Sequence, residues 1–248
     1  MEMNNFDMKG KVVLVTGSNR GIGEGYVRTL VKAGASKVYA AARDVNNLKS
    51  LLAEYPDIVE PVLLDVTQSE HIQALKEKIV SLDVLINNAG IINARSFTSE
   101  DALEIARTEM ETNFFAPLQL TQALLPVLKQ SKQAAIINVS SIAGISNFPV
   151  IGPYSATKAA MHSYTQGLRA DLAEESITVI GVYPGPIDTR MAEGWEMDKP
   201  KPEQVAEKTL EALAEGKIDV LPDDFSKQMY ETFLDHPHEL EKVFAQMQ

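Results

Sequence analysis

Tyr154 and Lys158 stand four residues apart in a segment with a helical pattern. This spacing places both side chains on one face of a helix, one turn apart. At a separation of about 5 Å and an effective dielectric constant of roughly 20, Coulomb's law gives about 3 kcal/mol of attraction between an ammonium and a phenolate. We therefore expect Lys158 to hold the pKa of Tyr154 well below its usual value of about 10. Tyr154 would then exchange a proton near neutral pH.

The Tyr–Lys pair alone does not define a catalytic site, because solvated helix faces also carry this spacing by chance. Two further features are relevant. Ser141 lies upstream in the segment Asn138-Val139-Ser140-Ser141, and a glycine-rich turn occupies residues 16–23. The turn follows the first apolar run with the spacing Gly-x-x-x-Gly-x-Gly. Such glycines let the backbone approach a pyrophosphate, and the following helix N-terminus favours negative charge. The alternative is a purely structural strand–helix turn.

The composition excludes several classes of site and partner. The chain has 23 basic and 34 acidic residues, a net charge of −11, which disfavours nonspecific binding to nucleic acid or to anionic membranes. It has no cysteine, so disulfides, thiolate nucleophiles and Cys-ligated zinc are excluded, and a reducing compartment is expected. We expect no metal site, because a polar helix break accounts for His236 and His238. Residues 1–5 lack signal-peptide features and no apolar run is long enough to span a membrane, which predicts a soluble cytoplasmic protein.

Short apolar runs alternate with longer amphipathic segments, the pattern of a parallel sheet with helices on both faces. The predicted strands cover residues 12–16, 37–42, 58–64, 83–87, 134–140, 178–182 and 218–221. The predicted helices cover residues 21–33, 46–54, 69–80, 99–130, 154–174 and 203–214. Thr67 and Glu70 have capping-box spacing before the third helix, and Pro202 suits the first turn of the sixth. Residues 225–248 predict one more helix, interrupted near His236.

Five motifs occur in the order and spacing of one known family. The glycine turn, Asn87-Asn88-Ala89-Gly90, Asn113, Ser141 with Tyr154-x-x-x-Lys158, and Pro184-Gly185 resemble the motifs of the short-chain dehydrogenase/reductase family. The resemblance extends from about residue 11 to residue 221. It implies an α/β fold with a single Rossmann-type doubly wound parallel sheet of about seven strands. We expect one catalytic domain over residues 1–248, with its core at about 11–221 and a C-terminal helix and tail at 222–248.

The resemblance also implies a role for each catalytic residue. Tyr154 would give a proton to a carbonyl during reduction and take it back during oxidation. Lys158 would lower the pKa of Tyr154 and hold the nicotinamide ribose, and Ser141 would hydrogen-bond the substrate oxygen. Asn113 would help to hold a water that links Lys158 to bulk solvent. Because the developing alkoxide needs only a hydrogen-bond donor and a proton, no metal is required.

NADP(H) is the expected cofactor. Relatives that prefer NAD carry an acid at the end of the second strand, where this chain has Ala42. Arg43 follows it and Arg20 lies in the glycine turn, and an Arg binds a phosphate bidentately. The carboxylate of Asp44 would oppose this if it turned inward. The residues that the resemblance implies in cofactor binding are Gly17, Ser18, Asn19, Arg20, Gly21, Ile22, Gly23, Arg43, Asp65, Val66, Asn88, Ala89, Gly90, Tyr154, Lys158, Pro184, Gly185, Ile187 and Thr189.

The expected substrate is a hydrophobic ketone or aldehyde, or the corresponding alcohol. Apolar candidates follow the fourth and fifth strands and Pro184-Gly185, although each also suits a place in the core. The substrate-binding candidates are Ile91, Ser141, Ile142, Phe148, Tyr154, Met191 and Trp195. The segment 191–200 is short for a lid, which predicts an open site. Pairing through the helices that carry Asn113 and Tyr154 would give a homodimer or homotetramer.

Three other functions remain open. A 3-oxoacyl-carrier-protein reductase would need a basic docking patch, whereas Arg95, Arg107, Lys129 and Lys132 are scattered along the chain. A hydroxysteroid dehydrogenase is the second enzyme alternative. A protein that senses NADP(H) without catalysis is the non-enzyme alternative, although such regulators often lose the Tyr or the Lys.

Overall fold

Seven parallel strands form one sheet in the order β3-β2-β1-β4-β5-β6-β7 within residues 6–247, the part of the chain that the computed structural model describes. The strands are β1 Val12–Thr16, β2 Lys37–Ala42, β3 Val59–Leu63, β4 Val84–Asn87, β5 Ala134–Val139, β6 Ile177–Val182 and β7 Asp219–Val220. The N-terminal segment 1–5 and the last residue of the predicted tail, Gln248, lie outside the described residues.

Helices cover both faces of this sheet. They are α1 Gly21–Lys32, α2 Lys49–Glu54, α3 Ser69–Lys78, α4 Ala102–Met110, α5 Ala116–Leu128, α6 Gly152–Asp171, α7 Pro202–Ala214, α8 Asp224–Asp235 and α9 Pro237–Gln246. Val27 and Val205 pack from α1 and α7 onto one face of the sheet. Leu120 and Leu168 pack from α5 and α6 onto the other. The central strands therefore have two buried faces, which explains why they read as continuous apolar runs.

The direction of strand order reverses at β1. This strand pairs with β2 on one side and with β4 on the other. The connections on the two sides of such a point leave in opposite directions and open a crevice at the carboxyl ends of the strands. The predicted fold class is confirmed, and the fold itself places a binding crevice above β1 and β4.

Two local predictions are wrong. The predicted helix at 99–130 is interrupted by a π-helical turn at Glu111–Phe115. Pro117 has no N–H, so it cannot donate the regular bond to the carbonyl of Asn113. The capping box before α3 is also absent, because Thr67 Oγ1 donates to Asp65 Oδ1 at 2.8 Å. The predictions for Pro202 at the start of α7 and for the break at His236 between α8 and α9 are confirmed.

Candidate active site

A cavity of about 1240 Å³ lies at the carboxyl ends of the strands. Each of the first six strands contributes wall residues from the segment at or just after its end, at 17 and 19–23, 42–43, 64–67, 88–92, 139–143 and 184–193. Because parallel strands end on one edge of the sheet, motifs that are far apart in sequence meet here. Every predicted site residue borders this cavity except Ser18 and Asn113.

The glycine turn forms the floor of one end. Gly17 has a φ of 67° and Gly21 a φ of 55°, a left-handed backbone that favours glycine. A Cβ on Gly23 would lie 2.2 Å from the carbonyl oxygen of Gly17, so no side chain fits there. The turn thus exposes backbone at the N-terminus of α1, an arrangement suited to phosphate.

Ser18 braces this turn from inside and does not border the cavity. It is 0 % exposed, and its hydroxyl donates to Val15 O at 2.6 Å and accepts from Ala41 N at 3.1 Å. Its own N–H donates to Ala41 O at 3.0 Å. Both of its polar groups are therefore engaged within the sheet, which corrects the prediction that Ser18 contacts the cofactor directly.

The Asn88–Ala89–Gly90 segment joins the ends of β4 and β1. Thr16 Oγ1 accepts from the main-chain N–H groups of Asn88 and Ala89, each at 2.9 Å, and Asn88 Nδ2 donates to Thr16 O at 2.8 Å. These bonds hold the two central strand ends together beneath the crevice. The same residues form part of its wall, and their role in binding the cofactor stays a prediction.

Two arginines, Arg20 in the glycine turn and Arg43 after β2, border one end of the cavity. Arg20 and Arg43 are exposed, and within residues 6–247 neither guanidinium has a hydrogen-bond or ion-pair partner. Asp44, the residue that could have opposed a phosphate, accepts from Asn46 N at 2.9 Å and does not border the cavity. The guanidinium groups of Arg20 and Arg43 are thus open to an anionic group next to Ala42, although the carboxylate of Asp65, which attracts Arg43, also borders the cavity.

Helix α6 carries Tyr154 and Lys158. Lys158 Nζ lies 5.5 Å from the centre of the Tyr154 ring, so both side chains point to the same side of the helix. Lys158 Nζ also donates to Val139 O at 2.9 Å, and Ser140 Oγ donates to Lys158 O at 2.9 Å. A Cβ on Gly144 would lie 2.5 Å from the Lys158 main-chain carbonyl carbon. This close packing fixes α6 against the end of β5.

Burial dominates the electrostatics of the pair. Burial raises the pKa of Tyr154 above its usual value, and the charge of Glu109 adds to the effect, whereas a hydrogen bond with Ser141 opposes it. Burial lowers the pKa of Lys158 to about 8. The prediction of a lowered Tyr154 pKa is therefore wrong in this structure. It counted the attraction between the two groups and left out the cost of removing each charge from water.

Ser141 borders the cavity next to Tyr154. Its hydroxyl accepts from Ala143 N at 3.2 Å and donates to Pro184 O at 3.3 Å. The second bond is long for an O–H donor and hence weak. The Ser141 hydroxyl also shares a hydrogen bond with Tyr154, so a carbonyl oxygen that enters beside Tyr154 would replace the weak bond to Pro184 O.

Asn113 lies in the π-helical turn and is 1 % exposed. Its Oδ1 accepts from Ile91 N at 2.9 Å, and its Nδ2 donates to Ile91 O at 2.9 Å and to Thr157 Oγ1 at 3.0 Å. The side chain thus fixes the loop after β4 to helix α6. A Cβ on Gly90 would lie 3.2 Å from Asn113 Oδ1 and 3.8 Å from Lys158 Nζ. The role of Asn113 in holding a water stays a prediction.

The remaining end of the cavity is apolar. All five apolar residues predicted there border it, namely Ile91, Ile142, Phe148, Met191 and Trp195. Lys199 Nζ donates to Ala192 O at 2.9 Å and to Trp195 O at 3.0 Å, which ties down the short segment after β6. Sequence reasoning missed further wall residues, among them Ile92, Arg107, Thr108, Ile151, Phe225 and Phe244. The spacing of aromatic residues in α8 and α9 was the signal that could have pointed to Phe225 and Phe244.

Comparison with known proteins identifies the family. A family model described as short chain dehydrogenase matches residues 11–200. The chain belongs to the short-chain dehydrogenase family. An uncharacterized oxidoreductase of Staphylococcus saprophyticus is 33 % identical over 218 residues, covering 84 % of this chain and 92 % of the relative. The chain is accordingly an oxidoreductase.

Solved structures of short-chain dehydrogenases agree with this assignment. A short chain dehydrogenase from Burkholderia cenocepacia in complex with NADP has a TM-score of 0.90 and 33 % identity, covering 96 % of this chain and 99 % of the other. The NADPH-bound carbonyl reductase from chicken fatty liver has a TM-score of 0.76 and 32 % identity, covering 83 % and 92 %.

Within residues 6–247, no helix is both long and apolar enough to cross a membrane. In the same range, His, Asp and Glu side chains form no group of three that could hold a metal ion.

Proposed function

We propose that this oxidoreductase reduces a hydrophobic ketone or aldehyde to an alcohol with NADPH, and that Tyr154 supplies the proton. One observation carries the proposal. A single cavity brings the glycine turn with two unpaired arginines and the Ser141, Tyr154 and Lys158 cluster together with an apolar end. A pyridine dinucleotide and a small apolar carbonyl compound together match these three chemical regions.

The residues fit NADP(H). The bare backbone at Gly17 and Gly23 suits a pyrophosphate, and the two free guanidinium groups of Arg20 and Arg43 suit a 2′-phosphate. The NADP and NADPH bound to the two similar structures support the same choice. When bound, the nicotinamide would supply the hydride. Lys158 and the segment from Pro184 to Thr189 would hold its end of the molecule.

Burial makes Tyr154 suited to reduction. Because burial raises its pKa, the phenol carries its proton at neutral pH, which is the form that a general acid needs. Ser141 would orient the carbonyl oxygen toward that proton through its own hydroxyl. Lys158, whose pKa burial lowers to about 8, would be placed to replace the proton as the alcohol forms.

The test is NADPH oxidation over a panel of ketones, diketones, aldehydes and acetoacetyl thioesters. Replacing Tyr154 by Phe should lower kcat by about 10² to 10⁴ and leave NADPH binding close to that of the wild type. Turnover unchanged in that variant would leave the proposed reaction without its proton donor. Activity on thioesters alone would favour the 3-oxoacyl reductase alternative, and NADPH binding without turnover on any carbonyl would favour the sensor.

The choice of cofactor has its own test. Replacing Arg43 by Ala should raise the KM for NADPH by about 10-fold and change the KM for NADH little, since a bidentate contact to a charged group contributes about 1.5–3 kcal/mol. Equal losses with the two cofactors would remove Arg43 from the assignment.

We also infer a homodimer or homotetramer of a single catalytic domain and a cytoplasmic location. Leu103, in α4, and Phe115, the last residue of the π-helical turn, are 66 % and 50 % exposed. Exposed apolar side chains of this size support a protein interface on the helices that were predicted to pair. Sedimentation analysis of the wild type and a Phe115→Glu variant would test it, since a monomeric wild type contradicts the inference.

A further inference from the structure

The C-terminal helices reach the apolar end of the cavity. Phe225 from α8 and Phe244 from α9 both form part of its wall, and Phe244 is only 2 % exposed. The Phe244 ring lies 5.2 Å from the Phe148 ring, which in turn lies 5.1 Å from the Trp195 ring, measured between ring centres. We call these four residues, Phe148, Trp195, Phe225 and Phe244, the aromatic wall.

Helix α8 is fixed to the segment that follows β6. Asp223 is 2 % exposed, and its Oδ2 accepts from Gly185 N at 2.9 Å while its Oδ1 accepts from Ser226 N at 2.8 Å. A Cβ on Gly185 would lie 2.6 Å from Phe225 Cδ1. One buried carboxylate thus caps α8 and ties it to the Pro184–Gly185 motif, so Phe225 has a fixed position.

Helix α9 is packed as firmly. Leu240 is 0 % exposed, and it joins Phe244, Met229 and Tyr154 in one hydrophobic cluster. A helix held only by surface contacts would leave its large apolar residues half in water. Helices α8 and α9 therefore form a structural part of the site.

Two of the four residues of the aromatic wall, Phe225 and Phe244, lie outside the part of the chain that the family model covers. The family model covers residues 11–200, which include the glycine turn, Ser141, Tyr154 and Lys158. Phe225 and Phe244 follow that range by 25 residues or more. Phe225 and Phe244 therefore belong to the C-terminal helices α8 and α9 and not to the segment that carries the reacting groups.

We propose that Phe225 and Phe244 close the substrate chamber and set the length of the apolar group that a carbonyl substrate carries beyond its carbonyl carbon. The inference rests on the proposed function, because it names the substrate class of the same site. The preferred substrates are ketones whose substituent is a flat ring or a short alkyl chain that packs against the aromatic wall. Longer chains are rejected by collision with Phe244.

The first test uses methyl ketones with straight alkyl chains of increasing length. In the wild type, kcat/KM should rise with chain length to a limit and then fall. Phe244→Ala should move the limit to longer chains and change the ratio of long to short substrates by about 10-fold or more, because one methylene in an apolar pocket changes kcat/KM by about 10-fold. Phe244→Leu should shift the limit less, in the same direction, and serves if the alanine variant does not fold.

Phe233→Ala is the matched control. Phe233 packs on the same hydrophobic cluster from α8 but does not border the cavity. Its truncation should lower stability and leave the chain-length profile unchanged. If Phe233→Ala and the Phe244 variants change the profile equally, the effect comes from loosening the C-terminal helices and the proposal is overturned. It is also overturned if no Phe244 variant moves the limit.

A second readout separates this inference from the proposed function. Trp195 is the only tryptophan of the chain and belongs to the aromatic wall, so its fluorescence reports an occupied chamber without turnover. Titration with the same ketones, in the presence of NADP, should show affinity rising to the same chain-length limit, which Phe244→Leu moves. If no ketone is reduced yet this limit is present, the proposed function fails and the chamber stands. If ketones are reduced yet the limit is identical in both proteins, the chamber fails and the function stands.

Discussion

Replacing Lys158 by Met should stabilise the protein while it removes catalysis. Lys158 is 5 % exposed, and burial alone lowers its pKa from 10.5 to about 8. A lowered lysine pKa means that the folded state disfavours the charged form relative to the unfolded state. Between about pH 8 and pH 10.5 the unfolded chain therefore binds more protons at this residue, and stability rises with pH. Below about pH 8 the full cost remains.

The size of the effect follows from the same numbers. The difference between 10.5 and about 8, at about 1.4 kcal/mol for each pH unit, gives about 3 kcal/mol of cost at neutral pH. Methionine has a similar length and no charge, so it removes this cost. It also removes the 2.9 Å bond from the ammonium to Val139 O, which offsets at least about 1.5 kcal/mol because the donor is charged. The net gain is at most about 2 kcal/mol, which corresponds to a rise in Tm of at most about 4–8 °C for a chain of this size.

Thermal and denaturant unfolding at a fixed protein concentration, without nucleotide, measures both parts of this prediction. At about pH 7 the variant should unfold at higher temperature than the wild type, and the difference should shrink toward about pH 10. Lys201→Met, a change at an exposed lysine outside the cavity, should alter stability by less than about 0.5 kcal/mol. A Lys158→Met variant less stable than the wild type at pH 7, or a gap that does not depend on pH, would refute the argument from burial.

Three further changes test other parts of the structure. Ser18→Ala should lower the free energy of unfolding of the nucleotide-free protein by about 1–3 kcal/mol in denaturant, because two hydrogen bonds inside the sheet are lost. Weaker NADPH binding with unchanged stability would instead show that Ser18 contacts the cofactor. Asp223→Ala should lower the free energy of unfolding by about 2–4 kcal/mol, because it removes a helix cap and leaves the Gly185 N–H unpaired. Asp223→Asn should lower it less, and equal losses in the two variants would contradict this account. Burial raises the pKa of Glu109. Wild-type stability should therefore fall relative to that of Glu109→Gln as the pH rises from about 4.5, and a constant difference would contradict it.

The sequence predicts the sheet well, because buried strands are short and apolar on both faces. All seven strands lie within one or two residues of their predicted ends, and the strand–helix alternation fixes their parallel direction. The interruption of the helix at 99–130 was not predicted, since one π-helical turn barely changes the period of apolar residues. Pro117 was the visible sign of it, because its missing N–H removes one bond of the ladder.

Some features of the site follow from local sequence patterns, and others depend on tertiary contacts. The glycine turn and the Tyr154–Lys158 pair are local patterns with a known geometry, so their positions at the cavity could be anticipated. The pKa of Tyr154 could not, because it depends on how much water the folded chain removes from the phenol. The inward orientation of Ser18 and the place of Phe244 also depend on contacts between segments far apart in sequence.

The aromatic wall has two effects, because the residues that set the shape of the substrate chamber also help to exclude water from it. Phe244 belongs to the same hydrophobic cluster as Tyr154, and burial is the largest cause of the raised pKa of that tyrosine. Truncating Phe244 should admit water and bring the pKa of Tyr154 back toward its usual value. The alkaline limit of carbonyl reduction should then move to lower pH together with the change in chain-length preference. A change in preference without any change in the pH profile would show that the wall selects substrates only by shape, and that the strand ends and α6 alone exclude water from the phenol.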